Sequence, residues 1–197
     1  MSKEERCASL VDACIRVAKR RGLAATSGRD VAAESATSVG LLHHYFGSVD
    51  ALVATAFEQV ERADLEAARD TVAKADSPSR QLASLVTYFS PAPGDWRYKW
   101  WIDAWSLAPE RPNRQEVARR LNLEWRDLIR QILARGVRQG DFACPDVDAA
   151  SWRILVQLDG LHVHASTGQI DASTADLQRW TASALAAEVG LASLDPS

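Results

Sequence analysis

Three serines lay out the N-terminal quarter of this chain. Ser27, Ser38 and Ser48 each stand before a stretch of helical apolar spacing and offer a hydroxyl suited to free backbone N–H groups. The intervals between them leave room for only about two helical turns each. Ahead of them, Leu10, Cys14, Val17 and Ala18 recur at three- and four-residue spacing, which predicts a first helix ending at Arg21-Gly22. Ser27-Gly-Arg-Asp30 reads as a capping box opening a second helix to Ser35. Ala36-Thr37 is a tight connection, Ser38 caps a third helix that Gly47 closes, and Ser48 caps a long fourth one reaching about Lys74. Two short helices joined by a tight turn have the dimensions of a helix-turn-helix, whose second helix enters the DNA major groove.

The same period continues to the C-terminus. Ser77-Pro78 starts a fifth helix ending near Phe89, and Pro91 to Gly94 forces a loop. The sixth helix spans Asp95 to Leu107, and Asn113-Arg-Gln-Glu116 reads as a capping box for a seventh reaching about Gln139. An eighth covers roughly Val147 to Thr167, and Ser173 caps a ninth to about Val189. No period-two pattern competes, so the expected fold class is all-α with about nine helices. Residues 1–48 are expected to form a DNA-binding domain and 49–197 a helical domain.

Composition sets limits on function. The chain has 197 residues, 47% hydrophobic and 25% charged, without an apolar run near the ~20 residues that span a bilayer. Its N-terminus lacks a signal-peptide apolar core, so no membrane association and a cytoplasmic location are expected. Net charge is −3, with residues 1–50 at +1 and the remainder at −4, a mild asymmetry that permits a nucleic-acid contact at the N-terminal end. Cys7 and Cys14 lie on one helical face with Leu10, Val11 and Ala18 and read as small core residues. His162 and His164 point to different faces of a helix, and Asp159 with His162 is at most a weak metal pair. Phosphate loops and hydrolase or zinc-protease motifs are absent from the sequence. No enzyme activity, metal or cofactor is expected.

Candidate DNA contacts cluster around the short helices. Thr26 and Ser27 offer hydroxyl and backbone N–H groups to phosphate, and Arg29 adds a charge. Ser38, Val39, Gly40 and Leu41 form the first turn of the third helix. There Gly40 lets the backbone approach DNA and Leu41 can meet a thymine methyl. His43, His44 and Tyr45, one turn on, can reach phosphate oxygens, while Leu42 and Phe46 face the small core.

The run from Thr26 to Ser48, TSGRDVAAESATSVGLLHHYFGS, resembles the TetR family of bacterial transcriptional regulators. Arg29, Asp30, Ala32, Ser38, Gly40, Leu42, Tyr45, Phe46, Ser48 and Leu52 match that family's pattern in register. Ala36 stands where the pattern has its turn glycine, and Thr37 where it has valine. His43 replaces an aromatic residue, and Val39 and Val49 occupy positions that often hold lysine. Two lost phosphate charges imply weaker non-specific DNA binding, about one unit of salt slope per contact. Further along, Trp100-Trp101, Trp105, Gly140-Asp-Phe142, Asp146-Val-Asp148 and Leu158-Asp-Gly-Leu161 are similar to the branch that includes the choline-responsive repressors.

The resemblance implies a repressor that binds a palindromic operator on double-stranded DNA as a homodimer through its last two helices. A small-molecule effector in the C-terminal domain would then release it. Gly160, in mid-helix, fits close helix–helix contact at that interface. Seven tryptophans, four of them within Trp96–Trp105, suggest an aromatic-walled pocket for an apolar, aromatic or cationic effector. Tyr88, Trp100, Trp101, Trp105 and Trp125 are its candidate walls, and Asp159, with Asp103 or Glu124, its candidate counter-charge. The competing readings are a dimeric helical interaction protein with weakened DNA binding and a metal-binding helical-bundle enzyme.

Overall fold

The computed structural model describes residues 2–90, 96–106 and 110–196. Among them are nine α-helices: α1 Lys3–Arg21, α2 Gly28–Glu34, α3 Val39–Phe46, α4 Val49–Ala73, α5 Pro78–Tyr88, α6 Arg97–Ser106, α7 Pro112–Gln139, α8 Val147–Ser166 and α9 Thr174–Glu188. The expected limits of the sixth helix at Asp95 and Leu107, and the Pro91–Gly94 loop, lie outside the described residues.

The caps act where the sequence places them. Ser27, Ser38, Ser77 and Ser173 accept the N–H groups of Asp30, Leu41, Arg80 and Asp176, and Ser48 accepts that of Ala51 at 3.0 Å. One expectation fails. Asn113 does not cap α7, which already begins at Pro112; its side-chain amide donates to Asp50 Oδ2 at 2.9 Å instead. Pro112, with φ preset for helix, takes over the start. Glu116 pairs with Arg119 rather than reaching back to a cap.

The chain divides into two compact units, residues 1–63 with 96–121 and residues 64–95 with 122–197. In the first, α1 contributes Leu10, Val11, Cys14 and Val17, and α2 contributes Val31 and Ala32. Leu42 is the buried residue of α3, and Leu52, Val53, Ala56 and Phe57 of α4 complete the layer with Trp100 of α6 and Leu121 of α7. Burying a side chain such as Leu42 contributes roughly 1.5–3 kcal/mol, which fixes a helix of only eight residues that would not persist alone. The second unit buries Leu82 and Leu85 of α5 and Phe89 just after it, Trp125, Ile129 and Leu133 of α7, Ile154 and Leu158 of α8, and Leu185 of α9. Phe142 lies directly on Gly136 of α7, where any Cβ would collide with its ring.

Candidate nucleic-acid interface and effector site

The outward face of α3 is built by what lies behind it. With Leu42 sealed inward and Phe46 half-buried, Ser38, Gly40, His43 and His44 are exposed and Leu41 and Tyr45 half-exposed. Only the Ser38 hydroxyl lies within 4 Å of where a Gly40 Cβ would stand, so the backbone is open to a close partner there. His43 Nδ1 lies 3.1 Å from the Gly47 carbonyl. That carbonyl can only accept, so Nδ1 carries the proton, and a neutral His43 offers Nε2 as an acceptor. His44 rests edge-on against Tyr45, ring centroids 5.2 Å apart.

Other predicted contacts sit differently. Thr26 is buried, and its hydroxyl donates to the Gly22 carbonyl at 2.8 Å, tying the start of α2 to the preceding turn. Ser27 and Arg29 are exposed. Val39 and Val49 are half-buried and flank Gly28, where an added Cβ would approach Val49 Cγ2 to 2.7 Å. Both valines therefore have packing roles where a lysine would project to solvent. The nearby arginines are partly neutralised: Arg16 and Arg20 pair with Glu34, and Arg21 with Asp30. Hydrogen bonds from Arg16 and Arg20 hold the Glu34 carboxyl below its usual range. A hydrogen bond from the Ser27 hydroxyl, helped by Arg21, does the same for Asp30. Arg29 makes no ion pair among the described residues.

The six candidate effector residues divide between the units. Trp100, Trp101 and Trp105 belong to the first, Tyr88, Trp125 and Asp159 to the second. Trp100 is 1% exposed, tilted against Trp96 with centroids 4.7 Å apart, and serves as core. Trp101 is half-buried; its ring meets Phe57 edge-on at 5.1 Å and tilts against Trp105 at 5.5 Å. Its indole N–H donates to Glu61 Oε2 at 2.7 Å. Glu61 has no exposed surface, and sequence reasoning missed it. The signal was present, because Phe57, Glu61, Leu65, Ala68 and Val72 form one stripe of α4 in which Glu61 interrupts an apolar series.

In the second unit, the Tyr88 hydroxyl lies 2.7 Å from Asp64 Oδ1 and 2.8 Å from the Asp64 carbonyl. Phe89 meets Trp125 edge-on at 5.0 Å. Beside them, Val86, Phe89, Leu158, His162, Leu177 and Thr181 enclose a cavity of about 10 Å³, room for one water at most. Burial pushes the Asp159 carboxyl up to about 7, which makes it a poor counter-charge at neutral pH. The other two candidate acids are engaged, Glu124 with Arg69 at 3.5 Å and Asp103 with the Ala24 N–H at 2.9 Å. Among the described residues no three metal-ligating side chains converge, and no helix is long and apolar enough to cross a membrane.

Comparison with known proteins fits this geometry. Residues 10–56 match the model of bacterial regulatory proteins of the tetR family, and residues 78–190 that of the BetI-type transcriptional repressor C-terminal domain. The HTH-type transcriptional regulator BetI of Agrobacterium fabrum is 29% identical over 169 residues, covering 80% of this chain and 75% of that protein. BetI of Burkholderia mallei is 34% identical over 125 residues, 59% of this chain and 62% of its own length. Two solved structures share the fold. A transcriptional regulator from Pseudomonas aeruginosa PAO1 has a TM-score of 0.77 at 24% identity, covering 92% of this chain and 88% of that one. One from Saccharomonospora viridis, in complex with choline, has a TM-score of 0.78 at 22% identity, covering 90% and 94%. The chain belongs to the TetR family of DNA-binding transcriptional regulators, with a C-terminal domain of the BetI-type repressors, and is not an enzyme.

Proposed function

We propose that this regulator is a cytoplasmic homodimeric repressor whose α3 reads a palindromic operator and whose effector is a small organic cation. Residues 1–48 supply the DNA-binding part and 49–197 the effector and dimer part. Ser38, Gly40, Leu41, His43, His44 and Tyr45 face the major groove, with Ser27 and Arg29 on flanking phosphates. Val39 supports the first turn from behind and Thr26 fixes the turn before α2. The half-sites are about one helical turn, ~34–36 Å, or a multiple apart. α8 and α9 form the dimer contact, supported by exposed Trp152, Val156 and Trp180 and by the open space over Gly160.

The observation that carries the effector class is Glu61. A carboxylate with no exposed surface, held by the Trp101 indole N–H beside the rings of Phe57 and Trp101, supplies both a counter-charge and aromatic faces for a cation. The choline held by the Saccharomonospora viridis regulator is a ligand of that chemistry. Because Trp101 touches Glu61, its fluorescence should report binding. Titration with choline should give a saturable change that its uncharged carbon isostere, 3,3-dimethylbutan-1-ol, fails to give at equal concentration. Equal responses to both would remove the cationic class and leave an apolar or aromatic effector.

A further inference from the structure

The turn between α1 and α2 is gripped from elements far away in sequence. Asp103 of α6 accepts the Ala24 N–H at 2.9 Å. Its Oδ2 also approaches to 3.1 Å of where a Cβ on Gly22 would stand. Gly22 holds φ +89°, a conformation open to glycine, and its missing side chain is what lets the carboxylate come so near. Arg114, in the first turn of α7, donates through Nη1 to the Leu23 carbonyl at 3.2 Å. Leu23 and Ala24 are therefore held from α7 and α6, and Gly22 leaves the room that the Asp103 carboxylate occupies.

Arg114 reaches the other end of the helix-turn-helix as well. It is 3% exposed, and its Nε lies 2.9 Å from Asp50 Oδ1, an ion pair not aligned as a hydrogen bond. Asn113 adds two bonds to Asp50 Oδ2, from its backbone N–H at 3.2 Å and its side-chain amide at 2.9 Å. Leu23 precedes α2 and Asp50 follows α3, so adjacent residues of α7 hold the chain where it enters and where it leaves the reading pair. Burial of a guanidinium with its partner makes the joint stiff, because displacing either charge leaves the other uncompensated.

On α6, Trp101 faces Glu61 and Phe57 while Asp103, two residues on and so about 200° around the helix, faces the turn. One rigid helix thus carries the proposed effector contact on one side and a grip on the DNA-binding turn on the other. A shift of less than about 1 Å takes a 2.9 Å hydrogen bond beyond bonding distance. The Thr26 hydroxyl bond to Gly22 passes any motion of the turn to the start of α2.

We propose that Asp103 and Arg114 are positioning residues that couple the state of α6 to the orientation of α3, with Asp103 the link that the effector breaks or makes. The coupling to choline rests on the effector reading above; the grip on the turn does not.

The test measures affinity for a duplex selected by the wild-type protein from a random library, with and without saturating choline. Asp103→Ala should bind choline within about twofold of wild type, while the choline-dependent change in DNA affinity falls at least about fivefold. Asp103→Asn keeps an oxygen that can accept the Ala24 N–H and should restore that change. A variant that weakens DNA binding equally with and without choline reveals a merely structural role and overturns the proposal. A cycle without effector separates the two readings. Trp101→Phe removes the bond to Glu61 and perturbs α6 itself, and its effect on DNA affinity should shrink at least about threefold in the Asp103→Ala background. Additive effects, or no effect of Trp101→Phe in either background, overturn the coupling whether or not choline binds. Failure of choline to alter fluorescence, with the cycle non-additive, overturns the effector class alone.

Discussion

The Trp101 indole N–H donates to Glu61 Oε2 at 2.7 Å, fixing an aromatic ring beside a carboxylate that has no exposed surface. Glu61→Gln keeps an oxygen for that indole and removes the charge. If a cation is the effector, its affinity should fall at least tenfold, a loss of about 1.4 kcal/mol or more, while operator affinity without effector stays within about threefold. Isothermal calorimetry with choline measures the first and anisotropy the second. An unchanged choline affinity would show that the charge faces no ligand.

The arginines beside the reading helix are held by their own carboxylates. Glu34 pairs with both Arg16 and Arg20. Together with the inward valines at 39 and 49, this predicts a shallow salt dependence of DNA binding. Glu34→Gln releases two guanidinium groups and should steepen the slope of log K against log salt by about one to two units. Anisotropy on a random duplex between low and physiological salt checks it; an unchanged slope means neither arginine reaches phosphate.

The short helices were legible because their signals are local. Ser27, Ser38 and Gly47 act through groups three or four residues away, so α2 and α3 could be placed to within a residue. Asn113 shows the limit: its sequence neighbourhood reads as a cap, but Asp50, 63 residues away, offers a better partner. The partners of Glu61 and Asp103 were hidden for the same reason, since they lie 40 and 79 positions away. Ala36 falls between these cases. The resemblance marked its position as a turn glycine, and the backbone there keeps the left-handed form that glycine favours, φ +49°, at a steric cost of roughly 1–2 kcal/mol.

The surface of α8 and α9 predicts the assembly. Val156 is 64% exposed, Trp152 and Trp180 are 36% and 42% exposed, and a Cβ at Gly160 would meet nothing within 4 Å. Val156→Asp should therefore leave the folded subunit intact while shifting it from dimer to monomer and abolishing operator binding. Sedimentation velocity with circular dichroism distinguishes this from unfolding. A variant that stays dimeric would place the interface elsewhere.

Asp159 predicts a pH dependence of stability. Its folded carboxyl is raised by burial to about 7, against about 3.9 for an unfolded aspartate. The stabilising form is the protonated one, so its contribution is complete below about pH 4 and is lost as pH rises to about 7. Part of the residue remains exposed, which reduces the loss to about 1–3 kcal/mol. Asp159→Asn should raise the melting temperature at pH 8 and leave it nearly unchanged at pH 4. Parallel melting curves for the two proteins across that range would contradict the assignment.

The most direct test of the central claim is selection of DNA from a random duplex library by the purified protein, followed by sequencing. The wild-type chain should enrich an inverted repeat with half-sites about one helical turn, or a multiple, apart, and with thymine opposite Leu41. The doubly substituted protein, His44→Ala with Tyr45→Ala, should enrich nothing while remaining a folded dimer. Failure of the wild-type protein to enrich any sequence, or enrichment of the same repeat by the double variant, would contradict α3 as the reading helix.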